Sequence, residues 1–125
     1  MRKVTVILFS ILFCYGCQPL EQNARDVAAS AQGFIETAQT LHSEECKANP
    51  GLQVCLVINS SVGAQNTLID TIETYCGWTA RPTLDQLKTM TGQNCQRIKT
   101  AQDGLRTSLT NLNAIMADLK IAANK

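Results

Sequence analysis

Residues 95–122 read CQRIKTAQDGLRTSLTNLNAIMADLKIA. Cys95, Ile98, Leu105, Leu109, Leu112, Met116 and Leu119 follow a three–four rhythm, interrupted at Gln102. With Ala101, Ile115 and Ala122 beside them, they give one face of a helix a wide apolar stripe made to meet a core. The rhythm predicts a helix of about 30 residues. Gly104 interrupts it at a cost of about 1 kcal/mol relative to alanine. A close helix crossing is one reason for a glycine there.

Such a stripe needs partners, and the chain upstream supplies two. Val54, Val57, Ile58, Val62, Leu68, Ile69, Ile72 and Tyr75 form a second apolar segment of mixed spacing. Its β-branched start also suits a strand. Its length and the Leu68-Ile69-Ile72-Tyr75 cluster favour a helix of about 23 residues, with its weakest turn at Asn59–Gly63. Further back, Leu20, Ala24, Val27, Ala31, Phe34, Ala38 and Leu41 alternate steps of four and three, a third stripe that ends near Cys46. Alanine at every second position of that stripe lets a neighbouring helix come close.

The breaks are as clear as the helices. Asn49-Pro50-Gly51 is a turn signal between the first and second helices. Gly77-Trp78 and Arg81-Pro82 end the second. Thr83 with Gln86 three residues on is a capping box, opening a short turn with Leu84, Leu87 and Met90 that stops near Gly92. Three helices of about 36–45 Å with short connections predict an all-α, up-down-up three-helix bundle over residues 20–125, with a short extra helical turn between helices 2 and 3.

The first sixteen residues do not belong to that bundle. Arg2 and Lys3 precede an apolar run from Val4 to Phe13, and small Gly16 stands directly before Cys17. A basic start, a short apolar core and a small residue at the cut form a secretory signal, too short to span a membrane comfortably. Phe13-Cys14-Tyr15-Gly16-Cys17 resembles the lipobox of bacterial lipoproteins. Cys14 stands where that family prefers leucine, and Tyr15 is bulkier than usual. The resemblance implies that residues 1–16 are a signal peptide and that Cys17 is acylated, with residues 17–19 as a short linker. It implies a bacterial envelope protein held by lipid. Gln18, in place of the aspartate that retains such proteins at the inner membrane, points to the outer membrane, facing the periplasm. The plainer alternative is a signal cut after Gly16 that leaves an unmodified thiol.

Cysteine arithmetic bears on this. Cys14 leaves with the signal, and five cysteines remain: Cys17, Cys46, Cys55, Cys76 and Cys95. An odd count in an exported chain leaves one thiol to explain, and acylation of Cys17 removes it. Four are left in an oxidising compartment. In the bundle, Cys46 ends helix 1 where Cys55 begins helix 2, and Cys76 ends helix 2 where Cys95 begins helix 3. The expected disulfides are Cys46–Cys55 and Cys76–Cys95, each clamping one hairpin by roughly 3 kcal/mol on the chain-entropy model.

The chain carries 11 basic and 10 acidic residues. Arg2 and Lys3 go with the signal, so the remainder is near neutral, which argues against nucleic-acid binding. Acidic residues gather in 20–50 and basic ones in 81–125, so the two ends of the chain attract. A basic recognition face on the last helix is the other reading of that asymmetry.

The search for chemistry yields little. His42 is the single histidine, and it and Cys46 stand four apart on one side of a helix. The remaining thiols lack zinc spacing, so His42 is most simply a surface histidine near a helix end. Glu44 and Glu45 point to different sides of a helix. Asp70 and Glu73 are one turn apart, most simply on a solvated face. No catalytic set, metal site or cofactor site is expected. In the predicted bundle the second connection returns to the lipid end, bringing Trp78 and Arg81 (with Lys88) towards lipid headgroups. Trp78 equally suits a lid over Cys76. The turn Lys47–Leu52 and the C-terminus lie at the other end, where a partner would be met.

The leading expectation is a non-enzymatic, membrane-tethered structural or protein-interaction module. A second is an inhibitor or exclusion protein acting on a conjugation, secretion or phage-uptake machine. Glu45-Cys46-Lys47-Ala48-Asn49-Pro50-Gly51 resembles the Glu-Cys-x-x-x-Pro-Gly stretch of exclusion lipoproteins over seven residues. Cell-wall attachment through Lys125 and a core pocket left by Gly63, Gly104 and the small stripe residues are further readings.

Overall fold

The computed structural model describes residues 19–89 and 95–123. The described chain is helical, without a β-strand. It holds α1 (Leu20–Leu41), α2 (Ser43–Ala48), α3 (Gln53–Cys76), α4 (Leu84–Thr89), a 3-10 turn (Lys99–Ala101) and α5 (Gln102–Ala123). That is five α-helices where the sequence predicts three and one short turn. Two differences stand out, and the first of them accounts for the added helix.

First, α1 and α2 are separated at His42, whose backbone (φ −109°, ψ 13°) leaves the helical path for one residue. Its N–H still bonds to the Ala38 carbonyl, and its own carbonyl accepts from Cys46. Second, the last helix starts later than its stripe. Cys95–Ile98 is not helical. The Gln96 N–H donates to the Cys76 carbonyl at 3.0 Å and the Ile98 N–H to the Tyr75 carbonyl at 2.8 Å. A helix leaves its last carbonyls without internal partners. This segment satisfies two of them on α3, which a helix through 95–98 does not allow.

The same junction needs a glycine. Gly77 ends α3 with φ +70°, and its N–H and that of Trp78 bond back to Thr74 and Glu73. A Cβ there would lie 2.8 Å from the Gln96 side chain as well as being strained. Gly104, by contrast, is exposed with open space around it, as is Gly63. Neither marks a close crossing or lines a core pocket.

The core joins the three long helices. Ala24, Ala28, Ala31, Ile35 and Ala38 of α1 meet Ile58, Leu68, Ile69 and Ile72 of α3 and Leu105, Leu112, Met116 and Leu119 of α5. The α1 stripe follows the rhythm through Ala24, Ala31 and Ala38, with Leu20 and Val27 packed beside them, and departs from it at Phe34 and Leu41. Ile35 is buried, whereas Phe34 is 49% and Leu41 68% exposed. Two apolar lines flank Ala24, Ala31 and Ala38 on this helix. The smaller one, through Ala28 and Ile35, faces inward and permits a closer approach between helices; of the bulkier one, Val27 still packs against the core while Phe34 and Leu41 are turned outward. Gln65, 5% exposed, donates to the Ala28 carbonyl at 2.9 Å and so joins α3 to α1 through a satisfied buried amide. The weak turn Asn59–Gly63 stays helical, with fully buried Ser61 donating to the Val57 carbonyl. The capping box forms as read: Gln86 N–H donates to Thr83 Oγ1 and Thr83 N–H to Gln86 Oε1, and Leu87 seals the core beside it.

Candidate functional site

The two disulfides are Cys46–Cys55 and Cys76–Cys95, the pairs expected from the helix ends. They sit near opposite ends of α3, about 30 Å apart at the helical rise. The molecule is most simply described from these two ends.

At the Cys76–Cys95 end the chain closes on itself. Glu21, in the first turn of α1, is 1% exposed, and its Oε1 accepts from Arg97 Nε at 2.8 Å. This pair ties the acidic start of the domain to the basic later part. Arg97 takes a left-handed backbone (φ 56°) to make it. The Glu21 main-chain carbonyl accepts from Arg25 Nε. The second Glu21 oxygen is buried without a hydrogen-bond partner. Trp78 is partly buried and packs against the core, in keeping with a lid. Arg81 is paired with Asp70, and its Nη2 also reaches the Asn66 carbonyl and side chain at 3.3 and 3.2 Å. Asp70 is therefore held by Arg81. Cys17 and the lipobox-like stretch before it lie outside the described residues, as do Met90, Gly92 and Lys125.

At the Cys46–Cys55 end the chain stays open. Leu41 (68%), Leu52 (37%), Leu56 (48%) and Ile121 (62%) are the exposed large hydrophobics there, and Phe34 follows Leu41 down the side. Most surface apolar residues occur singly, whereas several are exposed at this end. Leu52, Val54 and Val57 of the α3 start and Ile121 of the α5 end line an open cleft of about 560 Å³ together with His42, Glu45 and Asp118. A second groove, of about 510 Å³, runs between Phe34 and Leu41 on α1 and Leu119 and Lys120 on α5. There Lys120 Nζ lies 4.8 Å from the Phe34 ring centroid, a cation–π contact.

His42 is not the surface histidine expected from its position. Its side chain is 15% exposed, Nδ1 lies 3.4 Å from Glu45 Oε2, and Nε2 is buried without a partner. The sulfur of Cys46 is bonded to that of Cys55, which removes it from any chelate with His42. Among the described residues no three His, Cys, Asp or Glu side chains are grouped to hold a metal, and no helix is long and apolar enough to cross a membrane.

Sequence reasoning locates the turn, which the structure confines to residues 49–52 because Lys47 and Ala48 end α2, but not the surface around it. Leu52 and Leu56 are one helical turn apart, and Ile121 lies off the α5 stripe; both were legible signs of an apolar face without a partner. The Glu21–Arg97 pair had no such sign, because it depends on the non-helical path of residues 95–98. No family model, curated protein or solved structure matches this chain.

Proposed function

We propose that this chain is a non-enzymatic lipoprotein of the bacterial envelope, anchored by acylation of Cys17 after loss of residues 1–16. It acts as a helical protein-interaction module, set on the outer membrane and facing the periplasm. In this reading the long helices run up, down and up. The ties Glu21–Arg97 and Cys76–Cys95 mark the membrane end and Cys46–Cys55 the far end. Pro19, two residues beyond Cys17, precedes α1 directly, so the tether is short.

The carrying observation is the position of the exposed apolar residues. Leu41, Leu52, Leu56 and Ile121 gather at the end opposite the tether, where a partner meets them. Trp78 packing and the Asp70–Arg81 pair favour the lid over headgroup contact, leaving the acyl group as the anchor.

Intact mass of protein extracted from membranes, before and after reduction and alkylation, tests the anchor. The expected result is a chain starting at Cys17 with added acyl mass and four thiols that appear only on reduction. An unlipidated chain with a free Cys17 thiol overturns it. Replacing Leu41 and Leu56 by Asp tests the module: retention of all envelope partners by the double variant argues against docking at this end.

A second reading, an exclusion or inhibitor lipoprotein acting on a conjugation, secretion or phage-uptake machine, has one observation in its favour. The stretch Glu45–Gly51 that resembles exclusion lipoproteins forms part of the same open end, and Glu45 lines its cleft. A gene standing away from conjugation, phage or toxin clusters counts against it.

A further inference from the structure

The open end has a chemistry as well as a position. Its cleft combines aliphatic walls with two carboxylates, Glu45 and Asp118. Neither carboxylate pairs with a Lys or Arg among the described residues. Nearby cations are engaged elsewhere: Lys47 Nζ is 3.8 Å from Glu44, and Lys120 lies over Phe34 on the other flank of α5. Glu45 has only His42 beside it, and His42 lines the same cleft. The cleft volume of about 560 Å³ lies within the roughly 300–1,000 Å³ of clefts that enclose organic groups. A group with an apolar stem and a cationic head matches that lining. Long basic side chains are built this way, burying the stem along apolar surface and leaving the charge at the rim.

We propose that this cleft seats a lysine or arginine side chain of the docked protein partner, with Val54, Val57 and Ile121 against its stem and Glu45 and Asp118 on its head. The proposal deepens the docking reading above and rests on it. Leu41, Leu52 and Leu56 would then meet apolar residues flanking that basic one. An arginine head would suit two carboxylates better than an ammonium, because its planar fork donates in two directions.

The test uses the protein purified from producing cells, with Ile and Val methyl groups labelled for NMR. n-Butylguanidinium is titrated against n-butylurea, its neutral counterpart. The expected result is saturable shifts at Val54, Val57 and Ile121, with the cation binding about three- to tenfold more tightly, the scale of one or two partly exposed charge pairs. In the E45Q/D118N double variant that preference disappears. Equal binding of urea and guanidinium, or a cation preference unchanged in the variant, overturns the proposal.

A photo-crosslinking residue at position 56, beside the cleft but outside its lining, separates this failure from that of docking. Adducts with an envelope protein that fall about threefold or more in E45Q/D118N support the proposal. Adducts of undiminished yield in the double variant overturn it while docking stands. An absence of adducts at positions 41 and 56 overturns both.

Discussion

The two ends of this helical domain carry a disulfide each and otherwise differ in almost every respect. At the Cys76–Cys95 end the chain satisfies itself: carbonyls of Tyr75 and Cys76 accept from Ile98 and Gln96, Glu21 meets Arg97, and Trp78 covers the core. At the Cys46–Cys55 end, Leu52 and Ile121 line an open cleft, and Leu41 and Leu56 are also exposed. A bridge therefore closes neither end by itself. Residues 95–98 do, because Gln96 and Ile98 place their backbone donors on α3. The short turn between Cys46 and Cys55 reaches no such partner and leaves the ends of α1 and α5 uncovered.

The contrast predicts that changes at the closed end unfold the protein and changes at the open end affect recognition. Removing Cys76 and Cys95 together by serine substitution is expected to cost the most, about 3 kcal/mol from loop entropy, with further loss as the 95–98 segment detaches. Urea unfolding would read this. A loss no greater than that of the Cys46/Cys55 double variant, whose shorter loop predicts slightly less, breaks the contrast. Glu21→Gln removes the charge facing Arg97 and is expected to cost about 1.5–3 kcal/mol, since hydrogen bonds to charged groups lie in that range. A change below about 0.5 kcal/mol, the usual scale at the surface, would show that the pair adds little.

Gln65→Leu leaves the Ala28 carbonyl to its helical partner alone and is expected to cost about 1 kcal/mol, the usual net worth of one hydrogen bond. A gain in thermal stability would mean that the apolar replacement outweighs the tie. At the open end, Leu56→Ser is expected to shift stability by less than about 0.5 kcal/mol, while weakening the envelope interaction. A large fall in melting temperature would place Leu56 in the core's economy and remove it from the docking surface.

How far the sequence discloses this molecule depends on where the pattern is local. Helix α3 and the Thr83–Gln86 box were legible because spacing and capping operate within a few residues. The cysteine pairs followed from helix ends. The α1 stripe was ambiguous because two apolar lines flank the same alanines. Bulk favoured Val27, Phe34 and Leu41, whereas close approach favoured Ala28 and Ile35, and periodicity does not rank volume against distance. The late start of α5 was hidden for another reason. Cys95 and Ile98 fit the helical rhythm, but the demand of α3 for donors at its end is a tertiary fact. The break at His42, which brings its ring to the cleft wall, has no sequence sign that we can identify. The turn at residues 49–52 was visible as an exposed loop, yet the cleft behind it needs three chain segments to exist.

The pairing of the cysteines has a consequence for manufacture. Of the four, the first bonds to the second and the third to the fourth, with no crossing. A chain threaded through a translocation pore from its N-terminus presents Cys46 and Cys55 before Cys76 and Cys95. Oxidation in order of appearance then gives the native pattern directly. No wrong bridge has to be reshuffled, a process that takes seconds to hours. If the chain is exported with Cys17 acylated, as proposed above, it needs no disulfide-proofreading step.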